Sequence, residues 1–240
     1  MLKTLQNAFK IKEVREKLLY TFFMLVVTRI GSQLPIPGVN TTFFQELFTR
    51  QSNDAFGFFN TITGGSFTNM SVFALSITPY ITSSIIMQLL TIAIPKLEEM
   101  QQEGEDGRKK IAEYTRYLTV ALALMQSVAM AIGFGGKGLL VEFTALNVIV
   151  AIVTMTAGSA MLMWIGERIT ENGVGNGISI VLLFNIISTM PSDMITLYER
   201  FLQGKIVAVA VVTAVIIVAV IVAMVVFVII LQDAERRIPV

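Results

Sequence analysis

Between Ala55 and Pro95 the chain carries no charge, yet it is dense in hydroxyl and amide side chains: Ser71, Ser76, Thr78, Thr82, Ser83, Ser84, Gln88 and Thr91. Such groups do not ionise near neutral pH, but they bond to one another, to backbone and to water. In hydrocarbon they seek partners or a hydrated path. Two readings follow: hydrogen bonding between packed helices, or the lining of a wet passage. The density of polar groups favours the second. In the same stretch Ile77 and Ile81 stand one helical turn apart, and Leu182 and Ile186 repeat that spacing. An i, i+4 aliphatic pair is by default core or lipid-facing. On a polar helix it can instead form a hydrophobic neck that excludes water and ions.

Most other chemistry lacks its parts. There is no Cys, hence no disulfide, thiolate ligand or thiol nucleophile. There is no His, hence no imidazole base or imidazole metal ligand. A carboxylate- or Lys-based mechanism stays formally open. The net charge of +1 gives no global field for nucleic acid. Gly173-Val-Gly175-Asn-Gly177 resembles a phosphate loop only superficially, because no strand signal precedes it and no Lys-Ser/Thr pair follows. It reads as a turn. The mixed-charge run Glu103–Lys110 is a solvated loop or a docking tip, and its spacing leaves both open. Gln126, Ser127 and Asn185 are polar but not ionisable, and no carboxylate falls in the middle of an apolar stretch after the first. That lowers the prospect of an ion-coupled transporter.

The elements that carry these residues are set by charge spacing. Only 15% of the 240 residues are charged and 54% are hydrophobic, with a mean hydropathy of +0.72. An ordinary soluble domain has about 25% charged residues. Five uncharged stretches, 55–95, 117–136, 143–166, 172–192 and 206–232, hold 133 residues. A helix needs about 20 apolar residues to cross a bilayer. The expected fold is therefore an all-α polytopic membrane protein with six spans: about 18–34, 70–94, 114–134, 146–166, 178–190 and 206–231. Residues 1–17 are basic and amphipathic and read as an interfacial helix rather than a cleaved signal. Pro35-Ile-Pro37-Gly38 closes the first span, and 39–54 reads as a polar loop. Charged loops are expected at 95–113 and 167–177, and a Gly-rich turn after Phe134. Gly64-Gly65 splits the longest stretch into a two-turn helix, too short to cross, and a full span with Pro79 in its interior. A short half-helix before a full span suggests a re-entrant element. With the N-terminus inside, 13 Lys and Arg fall on the inner side and 5 on the outer, so both termini face the cytoplasm.

Several of these residues recur in a known pattern. Arg29-Ile-Gly-Ser-Gln-Leu-Pro-Ile-Pro-Gly38, Gly64-Gly65, and Thr78-Pro-Tyr-Ile-Thr-Ser-Ser-Ile-Ile-Met-Gln-Leu-Leu90 come first. Glu103-Gly-Glu-Asp-Gly-Arg-Lys-Lys110, Tyr114-Thr-Arg-Tyr117 and Met163-Trp-Ile-Gly-Glu167 follow. Gly173-Val-Gly-Asn-Gly-Ile-Ser-Ile180 and Arg236-Arg-Ile-Pro-Val240 complete the series. In this order and spacing the chain resembles the N-terminal part of the SecY family, the protein-conducting channels of the bacterial Sec translocon.

The resemblance implies ten spans in two inverted halves around an hourglass pore. The chain would supply the N-terminal half, spans 1–5 within residues 18–190. Residues 191–240 would add an outer loop, span 6 and the start of a cytoplasmic loop. A shortened channel is preferred to an isolated half-channel acting as an antiparallel homodimer, or to a secondary-transporter fragment. By resemblance, Ala55, Phe56, Gly57, Phe58, Phe59, Asn60, Thr61, Ile62, Thr63, Gly64, Gly65 and Ser66 form a re-entrant plug. Ile77, Ile81, Leu182 and Ile186 match half of a pore ring, with Leu182 where Ile is commoner. Thr82 and Gln126 match the polar cluster of a lateral gate. Asn185 departs from the small residue usual there, which puts the packing of span 5 in question. The implied role is passage of unfolded secretory polypeptides across the membrane, and of membrane segments sideways into the lipid bilayer. No enzyme activity, cofactor or metal is implied. The implied partners are the SecE and SecG subunits, the SecA motor, the ribosome, signal peptides and nascent polypeptides, with no direct role for nucleic acid. The expected location is the bacterial cell membrane, multi-pass, N-terminus cytoplasmic.

Overall fold

Every fourth residue from Thr115 to Ala131 is small: Thr115, Thr119, Ala123, Ser127, Ala131. All five are buried on one face of a long helix. The computed structural model describes residues 11–42, 46, 54–201 and 207–232. Among these residues the helices are α1 (Lys12–Gln33), α2 (Asp54–Ile62), α3 (Thr78–Ala93), α4 (Pro95–Gln102), α5 (Glu105–Phe134), α6 (Ala145–Asn172), α7 (Gly177–Phe201) and α8 (Val207–Gln232). A π-helical turn, Gly135–Leu139, follows α5. The chain forms two compact units that part between Thr189 and Met190.

In the first unit α5 is central, packed on α3 and α6, and α1 packs on α6. The faces that meet are small or polar. α1 buries Thr21, Thr28, Gly31 and Ser32 while Phe22, Phe23, Val26 and Ile30 point outward. α3 buries Pro79, Ser83, Met87 and Thr91. Ser83 and Thr119 hydroxyls meet at 2.5 Å, and Ser127 and Thr156 hydroxyls at 2.9 Å. This pattern suits lipid, where close backbone approach and interhelical hydrogen bonds replace hydrophobic burial, each such bond adding roughly 0.6 kcal/mol. Larger side chains fill two clusters. One holds Ile36, Phe67, Met70, Leu139 and Met155, and the other Phe73, Leu162, Ile165, Ile169 and Val181.

Length and composition make α5 with its π turn, α6, α7 and α8 able to cross a membrane. The pair α3 and α4, bent by 101°, is a fifth candidate. α1 is not among these candidates, since Lys12, Glu13, Arg15, Glu16, Lys17 and Arg29 lower the helix's apolar content, so the expected count of six is not confirmed. In the second unit, large side chains of α8 from Val212 to Leu231 stand exposed, as befits a helix in lipid.

Several boundaries depart from the sequence reading. Span 2 begins at Thr78, not Met70, and Pro79 lies in the first turn rather than the interior. Pro suits that position because its missing N–H has no helical partner there anyway. The expected loop 95–113 is mostly helical. α4 starts on Pro95, and Glu105 and Asp106 open α5 at its positive dipole end. Asp106 also pairs with Lys109 at 3.8 Å. α6 continues through Glu167 to Asn172, and α7 runs through Pro191 to Phe201. Residues 12–17 belong to α1 rather than to a separate helix. Residues 1–10 and most of the expected loop 39–54 lie outside the described residues.

Glycines permit the tightest approaches. A Cβ on Gly158 of α6 would strike the Val72 carbonyl oxygen, whereas one on Gly133 of α5 meets nothing within 4 Å. The Gly173–Gly177 turn is pinned rather than loose: Thr21 of α1 accepts from the Val174 amide at 3.2 Å, and Thr170 accepts from the Gly177 amide at 2.9 Å. Gly158→Ala should therefore lower the thermal unfolding midpoint in detergent, by roughly 1–3 kcal/mol of overpacking. Gly133→Ala should leave it unchanged or raise it, by up to about 1 kcal/mol of helix propensity. Equal effects of the two would refute the close approach at Gly158.

Candidate functional site

α2 is too short to cross a membrane, at 9 residues. It stops because Gly64 and Gly65 take φ of +66° and +83°, a conformation that strains any residue with a Cβ. The chain then runs without helix from 63 to 77 before α3 begins. This stretch is largely buried, with Thr63, Ser66, Phe67, Met70, Ser71, Phe73, Ala74, Leu75, Ser76 and Ile77 all nearly inaccessible.

Buried backbone needs internal partners. Locally, the Gly65 amide donates to the Asn60 carbonyl at 3.0 Å, and the Thr68 amide to Asn60 Oδ1 at 3.2 Å. The exit of α1 supplies more. The Ile36 amide donates to the Met70 carbonyl at 3.0 Å, and the Val72 amide to the Leu34 carbonyl at 2.9 Å. Ser159 of α6 donates to the Ser76 carbonyl at 3.3 Å. The stretch is nonetheless strained: Met70 and Ser76 hold φ of +43° and +54°. Each such residue costs of order 1–2 kcal/mol. The Thr68 hydroxyl is buried without a partner.

A cavity of about 570 Å³ opens between this stretch and the helices. Phe59 of α2 and Phe67 form one wall, their rings edge to face at 4.9 Å. Thr78 and Thr82 of α3 form a second, and Gln126 and Met130 of α5 a third. The cavity thus brings Thr82 and Gln126 together with the short helix. Thr82 is tied back to the Thr78 carbonyl at 3.0 Å.

The four aliphatic residues separate by burial. Ile77 is 0% exposed, and its Cδ1 lies 3.4 Å from where a Gly166 Cβ would stand. It fills a helix junction. Ile81, Leu182 and Ile186 are half-buried. The Ile81 amide donates to the Ile77 carbonyl at 3.2 Å, so the first turn of α3 fixes that pair. Asn185, beside Ile186, is buried and reaches Ser76, beside Ile77, at 3.5 Å. Its neighbour across the gap is Gly64, where a Cβ would come 3.1 Å from the Asn185 Cα. A glycine opposite gives the larger amide its room.

Arg29 matters more than the sequence reading allowed, where it opened a recurring motif and counted among the cations but was given no role of its own. Its Nη1 donates to the Gly64 carbonyl at 2.9 Å and to Ser188 Oγ at 3.0 Å. The available signal was a lone cation within an apolar helix, which is costly unless partnered. Two motifs also meet in space: Arg116 and Glu167 pair at 2.8 Å, joining α5 to α6. No group of His, Cys, Asp and Glu among the described residues could hold a metal.

Comparison with known proteins gives a consistent pattern. The SecY family model matches residues 71–240. The "Protein translocase subunit SecY" of Halalkalibacterium halodurans is 41% identical over 245 residues, covering 100% of this chain and 56% of the relative. That of Streptomyces scabiei is 41% identical over 253 residues, covering 100% and 57%. That of Aquifex aeolicus is 39% identical over 247 residues, covering 100% and 57%. The chain spans a little over half the length of these relatives. Two solved structures share the fold. One is described as "The structure of a protein conducting channel", with TM-score 0.51, 21% identity, and coverage of 80% of this chain and 38% of the other. The other is "Sec61 in the Canine ribosome-channel complex from the endoplasmic reticulum", with TM-score 0.57, 20% identity, and coverage of 94% and 49%. With a family match over most of its length, close relatives across the whole of it, and helices fit to span a membrane, this chain belongs to the SecY family.

Proposed function

We propose that the chain forms the N-terminal half of a protein-conducting channel, which passes unfolded polypeptides across the membrane and releases apolar segments sideways into lipid. The observation that carries this reading is the cavity under α2. A helix too short to span, an unwound stretch and two spanning elements meet there around Thr82 and Gln126. In this reading residues 55–66 are the plug, and Phe59 is its contact with the cavity. Thr82 and Gln126 sit at the seam of a lateral gate, where exchangeable hydrogen bonds let helices part. The pore ring draws on Ile81, Leu182 and Ile186, whose half-exposed side chains are free to face a passage, while Ile77 anchors the turn beneath them. Water leaves a narrow aliphatic neck because it cannot recover its hydrogen bonds there. The same side chains yield around a moving polypeptide. No bond is made or broken in this process, so the chain is not an enzyme. The energy comes from partners: a motor such as SecA or the translating ribosome, with SecE and SecG as companion subunits. Signal peptides and nascent chains are its substrates.

The Lys and Arg distribution supports a bacterial cell-membrane location with the N-terminus in the cytoplasm, 13 inner cations against 5 outer. The Cys-free background allows a direct test. An impermeant thiol reagent applied outside should label Thr196→Cys and spare Gln101→Cys. The opposite pattern would reverse the orientation.

The neck is tested in the assembled channel by Ile81→Ser with Ile186→Asn. Polar groups there should let the neck wet, and resting ion conductance should rise at matched abundance. If the residues are plain core instead, each unpaired polar group should cost roughly 1–3 kcal/mol. Abundance would then fall with no conductance, and the pore-ring assignment would fail.

A further inference from the structure

α2 is exposed on one side, and the chain is held closely just past its C-terminal end. Phe58 is 70% exposed, and a Cβ on Gly57 or Gly65 would meet nothing within 4 Å. Gly64, between them in space and sequence, is wedged: a Cβ there would stand 3.1 Å from both Asn185 Cα and Ser188 Oγ. Its carbonyl accepts from Arg29 Nη1, and the same nitrogen donates to Ser188 on α7. Ser188 in turn donates to the Asn185 carbonyl at 2.7 Å, which fixes its hydroxyl toward the guanidinium. Hydrogen bonds from a charged donor are roughly twice as strong as neutral ones, and both of these are partly buried. The other end of the unwound stretch is tied to the same helix by Asn185 and Ser76. The stretch between these ties holds Met70 and Ser76 at strained positive φ.

We propose that Arg29 is a positioning residue, a latch that clamps the hinge of the short helix at Gly64 between α1 and α7. Ser188 aims the latch, and displacement of α7 from α1 releases it. This rests on the channel reading only for what the freed helix does; the latch itself is a statement about Gly64, Arg29 and Ser188. α7 stands at both ends of the strained stretch: Asn185 bonds Ser76, and Ser188 shares the Arg29 nitrogen with the Gly64 carbonyl. A passenger that pushes α7 away from α1 therefore unloads both ends together, and the strain favours departure of the plug over its return.

Hydrogen exchange of the full chain in detergent tests this, with peptides from 54–65 compared against peptides from α5 and α6. Arg29→Gln should speed exchange in 54–65 by about tenfold, in line with loss of a charged hydrogen bond, and leave α5 and α6 unchanged. Ser188→Ala should do the same to a smaller degree, about threefold. The double variant should exchange no faster than Arg29→Gln alone, because both changes break one unit. Acceleration spread evenly over α5 and α6 would make Arg29 a general stabiliser and overturn the latch. No acceleration in 54–65, or additive effects, would overturn it too. If Arg29→Gln does not fold, Ser188→Ala decides: selective acceleration of 54–65 supports the latch and its absence refutes it. None of these readouts requires polypeptide passage. Loss of the channel reading would leave them intact, and loss of the latch would leave passage untouched.

Discussion

A chain that leaves helical form in a buried interior must find internal partners for its amides and carbonyls. Residues 63–77 meet that demand, and the rest of the first unit is arranged around it. The exit of α1 is extended because Pro35 and Pro37 forbid helix, and its amides and carbonyls at Leu34 and Ile36 pair with Val72 and Met70. Farther along, the Asn40 amide donates to the Leu139 carbonyl at 2.7 Å and the Val141 amide to the Gly38 carbonyl at 3.0 Å. One proline-rich segment thereby ties the unwound stretch on one side and the π turn on the other. Gly158 and Ser159 of α6 admit the Val72–Ser76 backbone from below.

The helices around this stretch are built for close contact. Small and hydroxyl-bearing residues line the meeting faces of α1 and α5 and most of that of α3, while α6 mixes Ala151, Gly158, Ser159 and Gly166 with the larger Met155, Leu162, Ile165 and Ile169. Such faces give rigidity without a hydrophobic driving force. α2 lacks any comparable face and contributes Phe59 to the cavity wall. In the proposed function the frame would keep its shape while the short helix moves. A charged attachment, the guanidinium of Arg29, holds the chain just past the C-terminal end of α2.

Charge spacing made α5, α6, α7 and α8 legible, because an uncharged stretch of about 20 residues has few fates other than a membrane span. It could not place helix ends. Glu105, Asp106 and Lys109 are charged and helical, since a helix that leaves the bilayer keeps its hydrogen bonds and gains ion pairs at its first turn. Charge marks where lipid ends, not where helix ends. Pro79 and Pro191 misled in opposite directions. One opens a helix that the sequence reading started earlier, and the other lies inside a helix that the reading stopped there. Gly64-Gly65 marked the break after α2 correctly because only glycine takes those φ values at ease. Arg29 escaped notice as a site residue because its acceptors, a backbone carbonyl and a serine, lie 35 and 159 residues away. Nothing local signals such partners.

The central claim is that 63–77 is unwound yet has most of its backbone amides partnered inside the protein. Hydrogen exchange resolved to single amides across this stretch, on the chain in lipid nanodiscs, tests it most directly. Met70, Ser71, Val72, Ala74 and Ser76 all donate to carbonyls within the chain. Their amides should exchange as slowly as those in the middle of α5 and α6. Exchange as fast as at the exposed Gly175 and Asn176 would contradict the account, because the stretch would then be an open loop rather than a partnered segment.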